Sequence, residues 1–414
     1  MKDQIKGWLI CLIASLFFCY ELTQFHMLNA ISPMLIRDLS LSTTEFSALC
    51  STYLLADVIF LIPAGILLDR IPIRKIILYS LALCILGTFG FAFSHTFLQA
   101  SISHFLSGIG NAFCFLSCMM LASSWFGKKS SLITGVIITV GLLGGVFGQV
   151  PVTLLAQKFT WQKTLLLDGV IGCFIWALNF LFVEENKKEA VLQEQYSIRE
   201  FFLRLKAAFF NGQVWKCGFY TGFLNLPLMI ISAMIGNLYL TQILHFSLIQ
   251  SSAISSMISI GTIVGSPLYG FLSDRFQRKK VWMVFGAVLS IATFFLIMLL
   301  KNPSFVTMAI VFFGLGFFSA SQVLGYPMIT DSAPKELRGT SMGLAAFLIM
   351  GLAFVGQPLT GFLIEKGSTQ GVYDFTYAFM IFPIGFLISL GMAFFVKEPK
   401  KTLELNQSPL SVLE

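Results

Sequence analysis

Twelve apolar stretches run through this chain, each long enough to cross about 30 Å of hydrocarbon at 1.5 Å per residue. They lie at approximately 7–36, 46–68, 76–95, 97–122, 131–157, 164–183, 215–243, 248–271, 280–300, 304–330, 340–364 and 373–396. Hydrophobic residues make up 56% of the 414 and charged residues 11%, against about a quarter charged in soluble chains. The expectation is an all-α integral membrane protein. Several connections are only a few residues long, leaving no room for an extracellular domain. The longest, 184–214, is charged and follows the sixth stretch, so the chain divides into a six-helix bundle (1–183), a linker (184–214), a second six-helix bundle (215–396) and a tail (397–414).

The net charge of +7 would point to nucleic acid in a soluble chain, but here the cations report topology. Of the 27 Lys and Arg, 22 fall at the N-terminus, in every second connection and in the tail, while Arg37, Lys158, Lys163, Lys301 and Lys366 occupy the alternate connections. Both termini and the linker are therefore expected in the cytoplasm, with the protein in the cell inner (plasma) membrane. All eight Cys sit in or beside apolar segments without a CxxC pair and read as core thiols. Within the linker, Ser197-Ile-Arg-Glu200 has capping-box spacing and opens an apolar face of Phe201, Phe202, Leu205, Ala208 and Phe209, which predicts a surface-lying helix.

One device appears twice. Gly65-Ile-Leu-Leu-Asp69-Arg70-Ile-Pro-Ile-Arg74-Lys75 returns 205 positions later as Gly270-Phe-Leu-Ser-Asp274-Arg275-Phe-Gln-Arg-Lys279-Lys280. Each copy joins two apolar runs in a tight hairpin with a close-approach glycine, an Asp that pairs with Arg or a helix end, and cations at the headgroups. Gly108-Ile-Gly110 is likewise echoed by Gly314-Leu-Gly316 and Gly148-Gln149 by Gly356-Gln357, at offsets of 206 and 208. Duplicated halves follow, an architecture that works by rocking one bundle against the other.

The paired loop resembles the signature of the major facilitator superfamily (Gly, three residues, Asp-Arg, one residue, Gly, then basic residues), with Pro72 and Gln277 standing where the family has Gly. The resemblance covers about residues 7–396. It implies a secondary transporter whose loops latch the halves together in the outward-open state, and whose helices 1, 4, 7 and 10 line a central cavity. His104-Phe-Leu-Ser-Gly-Ile-Gly110 is similar to a second family motif tied to proton coupling, with His in place of Arg. Gly135, Gly144 and Gly148 match part of an exporter-associated motif.

Ionisable groups deep in apolar helices persist where they have a role or a partner. Glu21 and Asp57 lie roughly 21 and 18 Å from the cytoplasmic face, near mid-membrane, and with His104 are the proton-coupling candidates. His26, nearer the headgroups, is expected in interfacial water. Helical spacing adds cavity candidates: Phe25 beside Glu21; Asn111 and Phe115 below His104; Thr221, Asn225 and Ser232; and Ser319, Gln322 and Tyr326. Each is equally read as an interhelical hydrogen-bonding or packing residue. No Lys or Arg lies inside the cavity helices except Lys216 at the start of helix 7, which disfavours phosphates and dicarboxylates. The expected cargo is cationic, zwitterionic (an amino acid or small peptide) or amphipathic and neutral. A proton-coupled symporter leads, ahead of a uniporter or efflux pump and of a transporter-like sensor. No catalytic motif points to an enzyme. The expected partners are bilayer, solute and protons, without nucleic acid, metal or cofactor, and the chain is expected to act as a monomer.

The charge distribution makes a direct test of topology. A cysteine introduced at Gln193 in a Cys-free background is expected to react with an impermeant maleimide only from the cytoplasmic side; labelling from outside alone would reverse the orientation.

Overall fold

The computed structural model describes residues 2–68, 70–126, 130–184, 198–334, 337–369 and 372–398. Twelve helices are long and apolar enough to cross a membrane: α1 Lys2–Asp38, α2 Thr43–Leu68, α3 Ile73–Ala92, α4 Phe97–Phe126, α5 Leu132–Lys158, α6 Trp161–Phe182, α7 Gly212–Gln242, α8 Leu248–Phe276, α9 Lys279–Leu299, α10 Phe305–Ser332, α11 Arg338–Gly367 and α12 Thr376–Phe395. A shorter linker helix spans Ile198–Phe209. It rests against α7 and α11, and the Trp215 indole donates to Phe209 O at 2.6 Å. Asp69 and Ser197, two of the residues singled out above, lie outside the described residues.

The helices pack as two six-helix bundles, α1–α6 and α7–α12. Polar caps set the short turns: Thr160 starts α6, Asn211 starts α7, Ser304 starts α10, and Ser247 with Gln250 forms a full capping box on α8. Glycines set the tightest crossings. A methyl at Gly108 would run into the Tyr53 backbone of α2, and one at Gly316 would run into the Ile258 backbone of α8. Tyr53 and Ile258 are themselves equivalent, so Gly108 corresponds to Gly316, whereas Gly314, paired with it above by sequence offset, packs loosely on Phe318 at 3.6 Å. The true register in this part of the repeat is 208, as it is for Gly148 and Gly356.

Three helices are broken near their middles. α5 stops at Phe147 and restarts at Val150, because Pro151 can neither donate to nor tolerate the carbonyl four residues back. α7 widens into a π-helix over Pro227–Ile235, and α10 tightens into a 3-10 turn over Ala320–Leu324. Such irregular turns free backbone groups that a continuous helix would occupy.

The halves meet at one end and part at the other. Midway along α5 a methyl at Gly145 would come within 2.9 Å of Ser259 Oγ, and at the end away from the termini one at Gly361 would come within 2.7 Å of Thr43 O, both across the junction. Toward the terminal end, Gly65 of α2, Gly135 of α5, Gly270 of α8, and Gly339 and Gly343 of α11 would each carry a methyl with nothing within 4 Å. The close approach expected at Gly65 and Gly270 is therefore not made in this conformation. The protein is closed at its far end and open at its terminal end.

The expectation of eight core thiols needs one correction. Six Cys are buried and Cys19 is half-buried, but Cys173 is exposed on α6, in a band with Val170, Ile171 and Phe174 at 46–65% exposure. That band faces outward from the bundle, where lipid rather than protein is the natural neighbour.

The second loop explains one departure from the family pattern. Gln277 ends α8 in the left-handed region at φ 53°, a conformation glycine adopts without penalty. In the first loop Pro72, at φ −48° and ψ 129°, instead opens α3, so the chain turns without a left-handed residue there. Gln277→Gly should stabilise the protein by about 1 kcal/mol, offset in part by the lost side-chain bond to Asp274 O. Thermal unfolding in detergent measures it; a lower melting temperature would mean the side-chain bond outweighs the backbone strain.

Candidate functional site

The N-terminal bundle holds a buried cluster of ionisable and hydroxyl groups. Glu21 on α1 is 0% exposed, its Oε2 accepts the Tyr53 hydroxyl from α2, and its Oε1 has no hydrogen-bond partner among the described residues. Asp57, one turn beyond Tyr53, is 4% exposed. His104 of α4 stacks at a tilt on the Tyr53 ring (centroids 5.0 Å apart) and meets Phe91 edge-on at 5.7 Å. Phe25 packs on both Tyr53 and His26. The three proton-coupling candidates thus sit around one tyrosine. The fold brings them together because Gly108 lets α4 lie against α2 at Tyr53 itself.

The same cluster contains a carboxyl that the sequence reading missed. Asp168 of α6 accepts from Gln24 Nε2 at 3.3 Å, and Gln24 also donates to Thr88, which in turn contacts Tyr20 at 3.3 Å. The signal was present: Asp168 is an acid four residues inside the apolar stretch 164–183. His26 is also corrected. Rather than facing interfacial water it is 1% exposed, its Nδ1–H donates to Leu22 O at 2.9 Å, and it lies against Gly145 of α5, because the halves close over it.

Of the cavity candidates, Thr221, Asn225 and Gln322 form one group in the C-terminal bundle. Thr221 Oγ1 donates to Gln322 O, and Gln322 Nε2 to Asn225 Oδ1, each at 3.0 Å. The 3-10 turn of α10 aims Gln322 at α7 just before its π segment. Ser319 bonds its own helix at Gly316 O, so it takes the helix-internal role. Tyr326 and Asn111 are half-buried, and Phe115 is 41% exposed against Phe18. Ser232 belongs elsewhere, in the seam between halves.

That seam is polar and buried. Asn29 of α1 donates to Gln149 Oε1 and Asn237 Oδ1 (both 3.2 Å) and accepts the Asn237 backbone N–H at 2.9 Å. Gln149 Nε2 donates to Ser232 O at 2.5 Å, Thr153 pairs with Ser252 at 2.5 Å, and Asn237 reaches Ser252 and Ser255. From the other side Gln357 Nε2 donates to Met229 O at 2.8 Å. Gln149 and Gln357, at matching places in the repeat, therefore both hold carbonyls of the α7 π segment. At the rim, Glu365 of α11 accepts the Thr44 N–H at 2.9 Å and so caps α2 across the junction.

At the terminal end the loop cations serve their own bundles. Arg74 donates to Phe180 O at 2.6 Å and lies over the Phe180 ring, and Lys279 pairs with Asp331 at 2.6 Å. Arg70, Asp274 and Arg275 are exposed. Among the described residues no group of three or more His, Cys, Asp and Glu could hold a metal ion.

The model of the Major Facilitator Superfamily matches residues 13–235 and again 223–412. The lysosomal dipeptide transporter MFSD1 of Mus musculus is 23% identical over 382 residues, covering 84% of this chain and 77% of its own length. The putative transporter AraJ of Escherichia coli (strain K12) is 26% identical over 323 residues, 76% of this chain and 77% of that protein. Among solved structures, the nucleoside transporter NupG superimposes with a TM-score of 0.76 at 15% identity, covering 96% of this chain and 100% of that one.

Every hydrogen bond described between the halves lies at the far end, so cutting them should favour the opposite conformation in proportion to burial. Asn29→Ala strands buried partners and should shift the balance by about 2 kcal/mol. Glu365→Gln, at the solvent edge, should shift it by about 0.5 kcal/mol. Pairs of spin labels across the terminal end would read both; a larger shift from Glu365→Gln would invert the ranking and move the main closure to the rim.

Proposed function

We propose that this chain, which belongs to the Major Facilitator Superfamily, carries a small organic solute across the plasma membrane by alternating access and draws on a proton gradient to do so. The moving units are the bundles 1–183 and 215–396, with 184–214 as cytoplasmic tether. With both termini in the cytoplasm, the conformation described here is the inward-open one. The observation that carries proton coupling is Glu21: a fully buried carboxyl that accepts the Tyr53 hydroxyl at one oxygen and has only the weak Cys84 thiol beside it otherwise. A buried carboxylate left half-satisfied is costly, whereas the protonated acid can donate from that second oxygen. Glu21 is thus suited to hold a proton when occluded and lose it when water enters.

The cargo reading rests on the opposite wall. The Gln322–Asn225 bond leaves the Asn225 amide N–H groups and the Gln322 carbonyl for a ligand, a pairing that suits peptide-like amides and zwitterions. Cationic and amphipathic neutral solutes remain in the same class, since carboxyls and aromatics face them from the N-terminal bundle. Small peptides come first on the panel because a dipeptide transporter aligns with 84% of the chain. In the opposite state the loop pair at Arg70, Asp69, Asp274 and Arg275 latches the bundles.

Uphill uptake and equal-pH exchange in the same proteoliposomes test the assignment. Glu21→Gln should abolish pH-driven accumulation and leave exchange largely intact; loss of both would mean that the carboxylate also binds the solute. Accumulation unaffected by Glu21→Gln moves the proton site to Asp57, and if Asp57→Asn is also silent the protein is a uniporter. His104→Gln should displace the pH optimum while coupling survives in part.

A further inference from the structure

Beside the cluster lies a half-open space that its hydrogen bonds do not fill. It measures about 20 Å³, and half of its eight lining residues are polar: Gln24, Thr88, His104 and Ser107, facing Met27, Leu28, Phe91 and Leu165. That is room for one water. Two buried polar atoms among them, Gln24 Oε1 and His104 Nε2, have no protein partner. Buried polar atoms are rarely left so, and an ordered water is the usual remedy. Leading away from the space, Thr88 contacts the Tyr20 hydroxyl at 3.3 Å, and Tyr20 in turn lies beside Asp168.

We propose that one ordered water occupies this space and completes a proton-exchanging line, Asp168–Tyr20–Thr88–water–His104, which makes Asp168 a second exchangeable proton site in the N-terminal bundle. Each member between the ends is a hydroxyl or water that can accept one proton as it releases another, Thr88 by turning its hydroxyl away from Cys84 O, to which it donates here at 2.9 Å. The net step moves a proton from the Asp168 acid to His104 Nε2, leaving a carboxylate and an imidazolium, and no co-reactant is needed. Asp168 and His104 each lie seven residues from the far-end start of their helices, about 10 Å deep, so the line runs across the bundle at one level. His104 then acts on Glu21 through Tyr53, on which its ring stacks and whose hydroxyl Glu21 holds. The charged and titratable neighbours are Tyr20 and Glu21 on α1, Tyr53 and Asp57 on α2, Cys84 on α3 and Asp168 on α6. Asp168 is a positioning residue for the proton chemistry proposed above. Its link to transport rests on that reading, but the line itself does not.

Full-length protein with ¹⁵N-labelled histidine in nanodiscs gives a readout independent of transport, with His104 assigned by its loss in His104→Gln. Asp168→Asn should lower the midpoint of His104 protonation by about one pH unit, since a facing negative charge is removed. Thr88→Val should uncouple His104 from Asp168, so that adding Asp168→Asn changes nothing further, and Thr88→Ser should restore the wild-type midpoint. A melting temperature in nanodiscs within a few degrees of wild type certifies folding in each variant. A His104 titration indifferent to Asp168→Asn in folded protein overturns the line, whatever the state of coupling. If His104 responds as expected while Glu21→Gln still accumulates solute, the line stands and the Glu21 reading falls.

Discussion

The seam between the halves depends on a defect in one helix. Over Pro227–Ile235 α7 is wound too wide to use all its own carbonyls. Gln149 takes Ser232 O from the N-terminal bundle and Gln357 takes Met229 O from within the C-terminal bundle. In lipid an unmet carbonyl is expensive, so this segment must be gripped from both sides or rewind. Asn29 and Asn237 complete the seam one turn farther on. A join made of amides and hydroxyls, rather than interlocked apolar side chains, can exchange its partners for water when the end opens.

Much of this was legible in the sequence. Twelve spans, duplicated halves and the partner-seeking acids all follow from hydropathy and repetition. Glu21, Asp57 and His104 were identified by charge in apolar surroundings, and the fold places them around Tyr53. Asp168 was legible by the same criterion, as an acid four residues inside an apolar run. For Ser232 and Ser319 the sequence left two readings open, cavity wall or interhelical hydrogen bonding. Spacing along a helix gives a face, but not which neighbour that face meets, and a π turn rotates every face beyond it. Glycine offsets misled in the same way by two residues: Gly108 and Gly316 are equivalent by what they touch, not by where a uniform shift puts them.

Polar groups are divided between the bundles by chemistry. The N-terminal one concentrates titratable side chains (Glu21, Asp57, Asp168, His104), while the corresponding region of the C-terminal one presents amides and hydroxyls at Thr221, Asn225 and Gln322. Two halves that repeat one another in sequence have parted company in chemistry, and neither arrangement disturbs the glycine-set crossings they share.

The unfilled space around the terminal-end glycines has a consequence of its own. Gly65, Gly135, Gly339 and Gly343 face nothing here, although a closed terminal end would bring α2, α5 and α11 together. A methyl group there is invisible to this conformation and would obstruct a closed one. The preferred conformation can therefore drift by single small substitutions far from the buried polar groups. Related sequences could settle into different poses, and be captured differently by conformation-selective binders, while keeping the same chemistry at the centre.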